Sequence, residues 1–153
     1  MRLYLVQHGE ALSKDVDPER ALSDVGRADA EHLASFLAPR RLTINRVLQS
    51  GKLRAKQTAE ILAGAFASEL TPEEANGLNP LDDPQSLLRT IAGLQEDVLI
   101  VGHLPFLGKL VGQMLTGTDD SFVTFEPGTL VCLERSEDRW SVAWVVPSAL
   151  LRS

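Results

Sequence analysis

Leu3-Tyr4-Leu5-Val6-Gln7-His8-Gly9-Glu10 decides how the rest of the chain reads. Its four consecutive apolar residues are the pattern of a short strand buried on both faces, the kind found in parallel sheets. The run stops at Gln7-His8, and Gly9 has no Cβ to oppose a sharp turn. A histidine at the carboxyl end of such a strand stands where open α/β sheets bind ligands. Taken alone, it is more often an ordinary strand-end residue, so the remaining chain has to decide.

The 153 residues, 44% hydrophobic and 24% charged, suit one domain, 1–153. A chain of that length buries about 70% of its unfolded surface. No apolar run approaches the roughly 18 residues that span a bilayer, so no membrane partner is expected. The N-terminus runs straight into a strand without the charged start, apolar core and cleavage site of a secretory signal. Cys132, the single cysteine, cannot form an internal disulfide and reads as a core residue, and a cytoplasmic location is expected. A net charge of −6 argues against a nucleic-acid partner. It does not forbid a positive pocket.

Beyond a polar loop after Glu10, Ser23 or Asp24 caps a helix whose stripe is Ala30, Leu33, Ala34 and Leu37, closed by Pro39. Arg46-Val47-Leu48-Gln49-Ser50 is a second short strand, and Ser50 is placed to cap the helix that follows Gly51. Residues 64–83 carry no clear period. Asp83-Pro84 starts a helix striped by Leu87, Leu88, Ile91 and Leu94. Val98-Leu99-Ile100-Val101-Gly102 is the strongest strand, apolar throughout and therefore central and parallel; His103 ends it, and Pro105 opens another helix. Thr129–Leu133 and Trp140–Val146 form an antiparallel hairpin, with Trp140, Val142, Trp144 and Val146 on one face by alternation. The expected fold is α/β, a three-layer α/β/α sandwich with a mostly parallel central sheet and an antiparallel C-terminal hairpin.

Three strands thus end at His8-Gly9, Ser50-Gly51 and His103, with Arg54 one turn into the second helix. Right-handed crossovers bring all three ends to one sheet edge. Arg54 in a first helical turn opposes the helix dipole, a local misfit of the kind found where function overrides stability. The set suits a phosphoryl group: a guanidinium fork for two oxygens, helix N-terminal amides for more, and an imidazole able to attack phosphorus.

His8-Gly9 on the first strand, Arg54 and Thr58 after Ser50, and Val101-Gly102-His103-Leu104-Pro105 resemble the histidine phosphatase superfamily, and most of all its SixA-type phosphohistidine phosphatase branch. The resemblance runs in order from residue 1 to about 115 and includes Leu22-Ser23 through Gly26. It implies catalytic roles for His8 as nucleophile and for Arg54 and His103 as phosphoryl-binding groups. Gln7, Gly9, Ser50 and Glu10 are the candidate substrate-binding residues. It implies no metal and no cofactor. It implies a phosphorylated protein as partner, such as a histidine-containing phosphotransfer domain, or else a small phosphorylated substrate.

The chain departs from the family pattern at Gln7, where the family has arginine. An amide donates hydrogen bonds but carries no charge, and the exchange is expected to cost ~2 kcal/mol of transition-state stabilisation, roughly thirtyfold in rate. The proton donor of larger members has no selected counterpart among Glu73, Glu74, Asp82 and Asp83, with Glu10 a further candidate. Competing readings are a degenerate module that binds phosphorylated ligands with little turnover, a small-molecule phosphomonoesterase, and a metal site using His8, Glu10 and His103.

Overall fold

The computed structural model describes residues 1–152. Six strands form one sheet: β1 (Arg2–Gln7), β2 (Arg46–Gln49), β3 (Glu73–Glu74), β4 (Val98–Gly102), β5 (Leu130–Ser136) and β6 (Arg139–Val146). Their order is β3-β2-β4-β1-β5-β6. The β3-β2-β4-β1 part is parallel, and β5 and β6 join it antiparallel. Four helices connect them: α1 (Asp24–Leu37), α2 (Leu53–Phe66), α3 (Gln85–Ala92) and α4 (Phe106–Thr116).

The period-2 alternation of the central strands sorts their side chains onto two helical layers. Leu3, Leu5, Val98 and Ile100 face Leu87 and Ile91 of α3 and Phe106, Leu107 and Leu110 of α4. Tyr4, Val6, Leu99 and Val101 face Leu33 and Leu37 of α1 and Ala55, Ala59 and Leu62 of α2. The expected three-layer sandwich is therefore the observed one. No residue of Leu3–Val6 or Val98–Val101 is more than 2% exposed. Each large apolar side chain buried in this way contributes at most ~1.5–3 kcal/mol relative to exposure. These two strands, with Leu130–Leu133 of β5, form the buried centre of the sheet.

Register carries that order to the sheet edge. Gln7 lies opposite Gly102, and Gln49 lies opposite Val101, so β1, β4 and β2 finish level to within a residue. His8, His103 and Ser50 follow directly. The turn after β1 passes so close to α1 that a Cβ on Gly9 would sit 2.7 Å from the Gly26 carbonyl oxygen, and a Cβ on Gly26 would overlap the Glu10 carbonyl oxygen. Ser23 caps α1 as expected, its Oγ accepting from the Gly26 N–H at 3.0 Å.

Two expectations are corrected. The face of β6 is not continuous: Trp144 lies opposite Cys132 and Val142 opposite Leu133, which leaves Ala143 without a partner. This bulge reverses the side-chain phase. Trp144 and Val146 consequently pack on the α1/α2 side and Trp140 on the α3/α4 side. Ser50 does not cap α2; Lys52 holds the cap position without a side-chain bond, and the Ser50 hydroxyl is taken up by His103. Within 64–83, α2 runs on to Phe66, and the two-residue edge strand β3 then lies beside β2. Among the described residues, no helix is long and apolar enough to cross a membrane.

The Gly9–Gly26 approach gives a stability prediction. Gly26→Ala forces the β1–α1 junction apart, and unfolding in urea should show a loss of about 1–3 kcal/mol. An unchanged midpoint would mean that the junction does not set the position of the first turn.

Candidate active site

The site is built on the three level strand ends. His8 Nδ1 lies 2.7 Å from the Gly9 carbonyl oxygen, which can only accept, so Nδ1 carries the proton. Nε2 is left with its lone pair. The Gly9 N–H donates to Thr58 Oγ1 at 3.0 Å, and the Thr58 hydroxyl donates to the Arg54 carbonyl at 2.8 Å. Thr58 therefore ties the turn after β1 to the first turn of α2. It shares a helix face with Arg54 in the sequence, but this bracing role was not legible there.

His103 is 1% exposed, and its Nε2 meets Ser50 Oγ at 2.6 Å. The His8 and His103 rings lie 4.9 Å apart between centroids at 53°. Burial acts against the charged form of both. His8 is lowered to about 4 chiefly by burial; the bond to Gly9 opposes the shift, and the charges of Arg54 and Arg20 add to it. His103 is lowered to about 3 by burial and by the neighbouring His8, Arg54, Lys52 and Arg20. At neutral pH both imidazoles are uncharged.

Three buried polar atoms here have no protein partner: Gln7 Oε1, Arg54 Nε and His103 Nδ1. Buried polar groups are normally paired, because leaving one unpaired costs about 1–3 kcal/mol. Their clustering is the signature of a site completed by a ligand. The Gln7 carboxamide, turned about its last bond, offers an N–H at the position of Oε1. Arg54 stands in the first turn of α2, where no acidic residue offsets the helix dipole, so both point toward an anion.

The surroundings are basic although the chain carries −6 overall. Lys14, Arg20, Lys52 and Arg54 line two adjoining clefts, of about 470 and 390 Å³, and the charges of Arg54 and Arg20 reach both histidines. The ion pairs among the described residues are Arg2–Glu134, Arg46–Glu73 and Arg152–Asp29, and none draws on these cations. Arg20 was missed in the sequence, where it is one residue of a polar loop.

The acidic candidates separate. Glu10 is exposed and its carboxylate accepts the Ser23 hydroxyl at 2.6 Å, so it supports the start of α1. Among the described residues, no three His, Cys, Asp or Glu side chains are grouped to hold a metal ion, which separates Glu10 from His8 and His103 as a ligand set. Glu73 pairs with Arg46 at 3.2 Å, and Asp83 accepts from the Gln85 N–H at 3.0 Å. The Glu74 carboxylate lies over Gly51, where a Cβ would meet it. Asp82 lines the second cleft with Arg20 and Arg54 while accepting the Asn79 N–H at 2.8 Å.

The lowered histidines fix a pH dependence. The acid limb of kcat/KM should fall near pH 4, where His8 takes a proton, and not near the ordinary 6.5. Between those values the unfolded chain binds protons that the native site refuses, so stability falls as pH drops through that window. Histidine NMR titration checks both; a His8 midpoint near 6.5 would contradict the buried neutral ring.

With the geometry established, comparison with known proteins is direct. The model of the histidine phosphatase superfamily (branch 1) matches residues 3–80. Phosphohistidine phosphatase SixA of Escherichia coli (strain K12) is 28% identical over 141 residues, covering 89% of this chain and 88% of that protein. A SixA homolog of Haemophilus influenzae is 27% identical, covering 87% of each chain. The structure of the protein histidine phosphatase SixA complexed with tungstate superposes with a TM-score of 0.85 at 26% identity, over 99% of this chain and 100% of that one. The family match contains the His8 turn and the Arg54 helix, and the superposition spans the whole sheet that joins them to His103: this chain belongs to the histidine phosphatase superfamily, branch 1.

Proposed function

We propose that the protein removes phosphoryl groups through a phosphohistidine formed on His8, and that its substrate is a phosphohistidine carried by another protein. The observation that carries this reading is the His8 Nδ1 bond to the Gly9 carbonyl, which leaves Nε2 unprotonated on a ring 4.9 Å from that of His103. Nε2 attacks phosphorus with its lone pair while the P–N bond of the substrate breaks. The departing imidazole leaves neutral once its other ring nitrogen has taken a proton from water. Phosphorylated His8 then carries positive charge on its ring, shared with the Gly9 carbonyl through Nδ1–H. Water attacks phosphorus, the bond to Nε2 breaks, and inorganic phosphate leaves a neutral His8. The same hydrogen bond therefore serves the nucleophile in the first step and the leaving group in the second.

The choice of substrate follows from the acidic residues, of which Asp82 lines a cleft with Arg54 but is tied to the Asn79 N–H at 2.8 Å. An alkoxide needs a positioned donor on departure, whereas a phosphoramidate is protonated by solvent. The carboxylates of Glu10, Glu73 and Asp83 are engaged in structural contacts. The relatives named phosphohistidine phosphatases support the same substrate class. Arg54 holds phosphoryl oxygens, its buried unpaired Nε being the donor, and His103 with Ser50 borders the transferring group.

Transfer from a radiolabelled phosphohistidine protein tests the reading. Wild type should release phosphate and pass through an acid-labile, alkali-stable label, and His8→Ala should do neither. Phosphate release unaffected by His8→Ala would overturn it, and equal rates on small phosphoesters would remove the substrate assignment. Arg54→Ala should lower kcat by about 10²–10³, the cost of one preorganised donor. One observation favours a second reading, a phospho-ligand binding module: the uncharged, unpaired Gln7 amide beside His8. Gln7→Arg separates the two. It should raise an existing turnover by roughly thirtyfold if the protein is an enzyme, and create turnover from none if it is a binding module.

A further inference from the structure

We infer that Arg20, on the loop between β1 and α1, is the second cation that binds the transferring phosphoryl group. The inference rests on the phosphoryl-transfer reading of the site and names a further residue for it. A phosphoryl group brings up to two negative charges. Both imidazoles are neutral and Gln7 is an amide, so the positive charge comes from the cations lining the clefts, of which Arg54 and Arg20 are the two that act on both rings. Arg20 lines both clefts with Arg54.

The loop is built to hold Arg20 there. Its backbone is left-handed, with φ 54°, a region that side-chain-bearing residues seldom occupy and that concentrates at functional sites. Asp17 enforces the turn: its carbonyl accepts the Arg20 N–H at 2.9 Å, and its carboxylate accepts the N–H groups of Glu19 at 3.1 Å and Ala21 at 2.8 Å. Arg20 Nε donates to the Leu12 carbonyl at 3.0 Å across the loop. The loop is closed by the Ala11–Leu22 bridge, and the Leu22 N–H donates to Gln57 Oε1 of α2 at 2.8 Å. Position, backbone and stem are therefore fixed against the helix that carries Arg54. Among the described residues, the terminal nitrogens of Arg20 make no hydrogen bond or ion pair, so the flat end of the guanidinium is available to an oxyanion. Its charge also lowers the proton affinity of His8 and His103, consistent with a place beside both rings.

The test is a double-mutant cycle between Arg20 and Gln7, read with two probes: orthovanadate affinity, and kcat/KM on a small phosphoramidate. Arg20→Asn removes the charge and suits a left-handed backbone, so the loop keeps its shape. It should weaken orthovanadate and lower kcat/KM by about 10²-fold, with Arg20→Lys recovering part of each. In a Gln7→Arg background, where a second cation has been supplied from β1, the same Arg20→Asn change should cost only a few-fold. Orthovanadate affinity within twofold of wild type in Arg20→Asn, or an equal loss in both backgrounds, would overturn the assignment. Because orthovanadate binding needs no turnover, this failure is distinct from a failure of His8 to accept the phosphoryl group.

Discussion

Everything at the site depends on the direction of one hydrogen bond, from His8 Nδ1 to the Gly9 carbonyl. It fixes the ring by its own neighbouring residue, sets the tautomer, and leaves Nε2 as the only free nitrogen. The carbonyl is itself held, because the Gly9 N–H is committed to Thr58 and the turn is pressed onto Gly26 of α1. The contact with Gly26 leaves no room for a side chain on Gly9. Upstream of it, the level register of β1, β4 and β2 brings His103 and Ser50 to the same edge. The arrangement is thus a consequence of sheet geometry, with the His8 ring placed on a short, braced turn.

The electrostatics run in one direction. Burial and neighbouring cations keep both histidines neutral, and on His8 the Gly9 bond opposes them without prevailing. Burial and Arg20 likewise act against the charge on Arg54, which has an unpaired Nε. A buried polar group without a protein partner, such as Arg54 Nε or His103 Nδ1, costs the fold about 1–3 kcal/mol. The two strands beneath it, buried almost completely, offset that cost. The local cluster of Lys14, Arg20, Lys52 and Arg54 stands against a net charge of −6 for the whole chain.

The strands β1 and β4 were legible because Leu3–Val6 and Val98–Val101 are unbroken apolar runs, which leaves no other placement than the sheet centre. The convergence of His8, Arg54 and His103 was legible for the same reason, since parallel strands with right-handed crossovers end on one edge. The bulge at Ala143 was not legible: the apolar period of β6 looks continuous, and only pairing with β5 reveals the extra residue. Ser50 had two possible partners, a helix terminus and a histidine some fifty residues away, and tertiary contact decided between them. Arg20 was hidden because its placement depends on a left-handed backbone and on Asp17 braces, neither of which has a periodic signal.

A crystal structure with orthovanadate bound tests the central claim most directly. The account predicts vanadium bonded to His8 Nε2, with His8 Nδ1 still on the Gly9 carbonyl and guanidinium groups on the vanadate oxygens. Vanadate bound away from Nε2, or a His8 ring turned so that Nδ1 faces the cleft, would contradict it.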